Sequence, residues 1–147
     1  MIRDQFLDAA IAEAKAGLAE GGIPIGSVLV CDGKIIGRGH NQRVQKSSVI
    51  HHAEMNCLET AGRQTASTYS RCTIYTTLSP CPMCAGAILL YRIPRVVIGE
   101  NKTFVGAEDL LGRAGVQLDL LQDSECIGMM RDFISKNPDL WNEDIGV

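Results

Sequence analysis

His52-Ala53-Glu54 opens a stretch that closes with Thr76-Thr77-Leu78-Ser79-Pro80-Cys81-Pro82-Met83-Cys84. Its middle predicts a helix, a strand and a second helix. Residues 52–61 carry Met55, Leu58 and Ala61 as an apolar stripe, and Gly62 stops them. Residues 72–77 are rich in β-formers. Pro80 breaks that run. Cys81 then stands near an N-cap and Pro82 near the first helical position, where proline lacks no needed donor, and a helix follows to about residue 91. A helix, strand and helix in succession point to an α/β chain.

The same stretch carries chemistry. Cys81 and Cys84 are three positions apart on the opening turn of a helix, so both thiols can address one ion. Helix N-termini favour thiolate. His52 begins the preceding helix, and if the two helices lie side by side their N-termini converge. Imidazole and thiolate ligands together select zinc. Structural zinc sites close with four protein ligands, whereas catalytic ones use three and keep a position for water. His52, Cys81 and Cys84 make three, and Glu54 is left over as a proton carrier beside that water. A redox pair would not need His52-x-Glu54. His51 is expected to be a solvated neighbour rather than a fourth ligand, and His40 a hydrogen-bonding residue. This pairing of H-x-E with P-C-x-x-C is the signature of zinc deaminases acting on nucleobases.

Outward from the centre the pattern continues. Residues 3–20 read as an amphipathic helix with Phe6, Ala9, Ala10, Ala14 and Leu18 on one side, ended by Gly21-Gly22. Runs 26–31 and 34–38 are strands joined by Asp32-Gly33, a strong two-residue hairpin signal. A polar loop follows through Lys46, Ser47 and Ser48. Beyond the centre come a strand at 95–99, a short helix at 107–113, a strand at 116–121, and a helix at 124–136 capped by Ser124. Cys126, Met129, Met130 and Phe133 point inward from that helix. A short tail follows Pro138. The expectation is one domain, 1–147, with a mixed sheet covered by helices on both faces.

Composition sets the boundaries. The chain has 147 residues, 46% hydrophobic and 21% charged, with formal net charge -3. That suits a packed core and argues against disorder. No basic run is present, so nucleic acid is not the expected partner. No run is long and apolar enough for a membrane span or a signal peptide, and a cytoplasmic location is expected. Of the six cysteines, four stand singly in apolar surroundings and read as buried small hydrophobes.

Further segments extend the reading: Glu20-Gly21-Gly22-Ile23-Pro24-Ile25-Gly26, Gly37-Arg38-Gly39-His40-Asn41, Gly99-Glu100-Asn101 and Trp141-Asn142-Glu143-Asp144-Ile145-Gly146. With these the chain resembles the fungal-type cytosine deaminases of the cytidine/deoxycytidylate deaminase superfamily, over nearly its whole length. The resemblance implies a three-layer α/β/α fold with a five-stranded mixed sheet, a homodimer, and deamination of free cytosine to uracil and ammonia in pyrimidine salvage. It makes His52, Cys81 and Cys84 the Zn2+ ligands and Glu54 the proton shuttle. Asn41 would hold the pyrimidine carbonyl, and Asp144 with the Ser79 carbonyl the amine edge. Phe104 and Trp141 would cover the ring, and Ile25 would line the pocket. Ala53 stands where that family has glycine. Its N–H would face the substrate, leaving room for the same chemistry on guanine, isocytosine or a pterin. A tRNA adenosine deaminase is a further alternative, and a non-enzymatic zinc-stabilised interaction domain the alternative from another class.

Overall fold

In a computed structural model, which describes residues 2–147, strand β1 (Gly26–Cys31) is buried along its entire length. It pairs antiparallel with β2 (Lys34–His40) on one side and with β3 (Cys72–Thr76) on the other. β4 (Arg95–Ile98) and β5 (Gln117–Leu120) add parallel to β3. The sheet order is β2-β1-β3-β4-β5, the five-stranded mixed sheet expected from the sequence. Asp32 and Gly33 both take positive φ, 50° and 76°, as a tight hairpin turn of this handedness requires.

Alternation along the strands builds two cores. Leu29, Ile74, Val96 and Ile98 face one side, where α3 (Ala53–Ala61), α5 (Pro82–Leu90) and α6 (Glu108–Arg113) contribute Cys57, Ala85, Ile88 and Leu111. Val28, Val30, Tyr75 and Val97 face the other, against Leu7, Ala10 and Ile11 of α1 (Gln5–Ala19) and Cys126 of α7 (Ser124–Lys136). A third cluster, with Ile23, Leu78, Met130, Phe133 and Trp141, closes one end of the sheet. The functional side chains gather there.

Several local expectations are corrected. The stripe α1 buries is Leu7, Ala10, Ile11, Ala14 and Gly17, not one centred on Phe6 and Leu18. Gly26 fixes this rotation: a Cβ there would sit 1.9 Å from the Ala10 carbonyl oxygen, so the strand lies directly on the helix backbone. α3 likewise buries Ala53, Glu54, Asn56 and Cys57, leaving Met55, Leu58 and Ala61 half-buried. It rides on β2 at Gly39, where an added Cβ would meet Asn56 Oδ1 at 2.3 Å. That oxygen accepts the His40 N–H at 3.0 Å, and β2 continues past residue 38 to His40.

A short helix, α2 (Arg43–Lys46), stands within the expected polar loop, and a second, α4 (Ala66–Tyr69), precedes β3. The cap of α7 is Asp123 rather than Ser124, its carboxylate accepting from Glu125 and Cys126 N–H. The tail is a helix, α8 (Pro138–Asp144), with Pro138 in its first turn. Burial of Trp141 anchors it, a contribution of about 1.5–3 kcal/mol for a large apolar side chain.

Candidate active site

His52 is the N-cap of α3 and Cys81 the N-cap of α5. The two helices pack side by side on one face of the sheet, so their N-termini meet. His52 Nδ1 lies 3.4 Å from Cys81 Sγ and 3.7 Å from Cys84 Sγ. All three donor atoms fall within 4.8 Å of one another, the only such group of His, Cys, Asp or Glu ligands among the described residues. Tetrahedral zinc, with bonds near 2.3 Å to sulfur and 2.0–2.1 Å to nitrogen, separates S and N by about 3.6 Å. The donor set therefore fits Zn2+.

Electrostatics agree with a cationic centre. Hydrogen bonding from Cys84 pulls the Cys81 thiol down to about 4 against its burial, with His52 helping. Cys84, beside Cys81 and fully buried, is pushed up. One thiol is thus favoured as thiolate and the other as thiol, and a bound cation would favour thiolate at both. On the far side of the ring, His52 Nε2 lies 3.4 Å from Asp144 Oδ1. Burial lowers the His52 pKa, but Asp144 and then Cys81 outweigh it and raise it to about 10. An Nε2–H directed at Asp144 leaves the Nδ1 lone pair for the metal, the usual arrangement of a ligand histidine.

Glu54 sits on the first turn of α3, 4% exposed. Burial raises its carboxyl to about 7, with His52 opposing. A carboxylic acid titrating near neutrality is suited to pass protons both ways. It opens on a small pocket of about 20 Å³ that is also lined by Ile25, Asn41, Ala53, Leu78, Ser79, Phe104, Trp141, Asp144 and Ile145.

Nearly all the residues singled out in the sequence meet at this pocket. Cys84 lies just behind it. Asn41 Nδ2 donates to Asp144 Oδ1 at 2.9 Å, and its Oδ1 accepts from Arg43 N–H at 3.1 Å. Phe104 and Trp141 meet edge to face, centroids 5.6 Å apart. The Ser79 hydroxyl donates to Glu108 Oε2 at 2.5 Å and accepts from Gly106 N–H at 2.9 Å. It is therefore tied to the Phe104 loop and not free for a ligand. His51 and His40 stay outside the cluster: His51 Nε2 accepts from Asn56 Nδ2 at 3.0 Å, and His40 lies between Glu13 and Glu20, 2.9 Å from each.

Four contributors escaped the sequence reading. Leu78 and Ile145 line the pocket. Glu108 holds Ser79, and Glu100, fully buried, accepts from Lys102 N–H at 2.7 Å, Thr103 N–H at 3.0 Å and the Thr103 hydroxyl. Glu100 thereby folds the loop that presents Phe104. A charged residue between two strand-adjacent glycine and asparagine positions was its only signal.

Comparison with known proteins gives a consistent picture. Residues 2–100 match the family model described as the cytidine and deoxycytidylate deaminase zinc-binding region. A cytosine deaminase of Candida albicans is 55% identical over 141 residues, covering 95% of this chain and 94% of that protein. A tRNA-specific adenosine deaminase of Streptococcus pyogenes is 39% identical over 139 residues, 87% of each chain. Among solved structures, one from a study of A-to-I editing by tRNA:A34 deaminases superposes with a TM-score of 0.72 at 29% identity, covering 86% of this chain and 99% of that one.

Proposed function

The chain belongs to the cytidine and deoxycytidylate deaminase zinc-binding family, and we propose that within it this site deaminates free cytosine, giving uracil and ammonia. It is a zinc-dependent hydrolase. His52, Cys81 and Cys84 hold the Zn2+, which when bound lowers the pKa of a water to about 7 and so supplies a nucleophile at neutral pH.

The remaining work falls to side chains. Exchange of the amine at C4 for oxygen needs one proton at ring N3 and another on the departing nitrogen. Glu54, buried beside the metal ligands with a carboxyl raised toward 7, carries both. Asn41 spends one amide N–H on Asp144 and keeps the other for the ring carbonyl. Asp144 and the Ser79 carbonyl, which accepts no hydrogen bond among the described residues, take the amine hydrogens. Trp141 and Phe104 cover the ring, Ile25 forms its floor, and the Ala53 N–H faces its edge.

The observation that carries this reading is the Asn41–Asp144 hydrogen bond beside His52: a donor and an acceptor matched to one pyrimidine edge, on a chain 55% identical to a cytosine deaminase. Residues 1–147 act as one catalytic domain in a cytoplasmic homodimer of pyrimidine salvage, with a nucleobase as ligand and neither nucleic acid nor membrane as partner. The test is side-by-side steady-state rates of zinc-loaded enzyme on cytosine, cytidine, guanine and isocytosine. Cytosine is expected to give the highest kcat/KM, with uracil formed. Absence of uracil rejects the assignment.

A further inference from the structure

At the end of β1 and the start of β3, remote from the zinc site, Cys31 and Cys72 are direct cross-strand partners. The ladder defines which kind. Thr77 N–H donates to the Gly26 carbonyl at 3.0 Å, so the opposed residues Gly26 and Thr77 form a hydrogen-bonded pair. Pair types alternate along an antiparallel ladder. Counting five steps from Gly26–Thr77 makes Cys31–Cys72 a non-hydrogen-bonded pair. In such pairs the Cα atoms are about 4.5 Å apart and the side chains lean together. Disulfides span Cα separations of about 4.4–6.8 Å.

The side chains follow the backbone. Both cysteines belong to the same core cluster, so both point to one face of the sheet. Both thiols converge on the Thr68 carbonyl, at 3.9 Å from Cys31 and 3.2 Å from Cys72. The other four cysteines are different: Cys81 and Cys84 are metal ligands, Cys57 faces the Gly37 carbonyl, and Cys126 packs under Gly99.

We propose that Cys31 and Cys72 are an oxidative modification site, a dithiol that a hydroperoxide closes to a cross-strand disulfide without moving the backbone. Cys31, 7% exposed against 1% for Cys72, meets the oxidant first. Its sulfur attacks the peroxide, the O–O bond breaks, and a sulfenic acid and one water form. The Cys72 sulfur then displaces the hydroxyl, the S–S bond forms, and a second water leaves. Burial, with Cys31 alongside, holds the Cys72 thiol above its ordinary pKa, so the reaction is slow and stays confined to oxidising conditions. The bond encloses β2, α2, α3 with His52 and Glu54, and α4 in one covalent ring. Such a ring narrows the unfolded ensemble, so oxidation stabilises the fold.

The experiment treats zinc-loaded protein with hydrogen peroxide, blocks residual thiols by alkylation, and sequences the digest by mass spectrometry. A linked peptide pair joined at Cys31 and Cys72 is expected. The melting midpoint should rise by on the order of 10 °C, return on adding dithiothreitol, and stay unchanged in Cys31→Ser. Recovery of Cys31 and Cys72 fully alkylated overturns the proposal, as does oxidation of Cys81 and Cys84 with zinc loss while this pair remains free. The mass measurement uses the wild-type chain, so its outcome does not depend on how the variant folds.

Discussion

Asn41 and Asp144, 103 positions apart, share a buried hydrogen bond of 2.9 Å. The same Asp144 oxygen lies 3.4 Å from His52 Nε2 and 3.8 Å from an Arg43 nitrogen. One carboxylate on the last helix therefore touches a pocket amide and the histidine of the His-Cys-Cys cluster together. Asp144→Asn keeps the shape and removes the charge. Hydrogen bonds to charged groups contribute about 1.5–3 kcal/mol, so kcat/KM should fall roughly 10- to 100-fold. Zinc affinity, measured by chelator competition, should fall by about 10-fold or more, as for other carboxylates that orient ligand histidines. Unchanged zinc affinity rejects the coupling of α8 to the metal.

Glu54 lines the pocket but stands apart from the three-ligand cluster. Glu54→Gln keeps the volume and cannot exchange a proton. Turnover should drop by about 10²–10⁴, while zinc content by atomic absorption stays at the wild-type level. Loss of the metal, or retained turnover, contradicts the shuttle role.

The Phe104 loop hangs on Glu100, which accepts two backbone N–H groups and a hydroxyl with no exposed surface. Glu100→Gln turns one of those acceptors into a donor facing donors. The expected result is a KM rise of roughly 10-fold, on the scale of one charged hydrogen bond, with a lowered melting midpoint. The readout is the split between KM and kcat: zinc and Glu54 are untouched, so kcat should change less than KM. A fall in kcat alone contradicts a positioning role.

What the sequence made legible follows from local rules. His52 and Cys81 stand at helix starts, and Pro82 and the H-x-E spacing mark those starts directly. The Asp32-Gly33 turn and the β-forming run 72–77 marked strands directly, whereas the division of Leu29 and Ile74 from Val28 and Tyr75 between two cores is set by the packing. Less legible was whatever depends on contacts distant in the chain. The rotation of α1 is set by Gly26 meeting Ala10 and Ala14, and that of α3 by Gly39 meeting Asn56. No helical period encodes either. The tail's helix is only 7 residues, too short for a periodic signal, and it forms because Trp141 finds a place in the third core cluster. The roles of Glu100 and Glu108 depend on Thr103 and Ser79 standing beside them, which no local pattern encodes.

His40 gives a test of stability against pH. Its ring nitrogens each lie 2.9 Å from a carboxylate, Glu13 on one side and Glu20 on the other. Arg38 also pairs with Glu13, Gln45 with Glu20, and Gly17 packs on the ring. Burial depresses the His40 pKa, but the two carboxylates outweigh it and the net shift is upward from 6.5. A raised histidine contributes fully below the unfolded value of 6.5 and loses that contribution as pH rises through the folded value. Glu13 is pressed up by burial and pulled down further by His40 and Arg38. Glu20 is lowered chiefly by His40. Lowered carboxylates contribute above 4.5 and lose it as pH falls through their folded values. The cluster therefore stabilises most between 4.5 and 6.5, where the histidine is charged and both carboxylates are ionised. His40→Gln keeps hydrogen-bonding capacity without the charge. The melting-midpoint difference between wild type and His40→Gln should be greatest near pH 5.5, about the middle of that window. It should shrink steadily toward alkaline pH. A difference that is flat with pH, or that widens toward alkaline pH, contradicts an ionised His40 bridging the two glutamates.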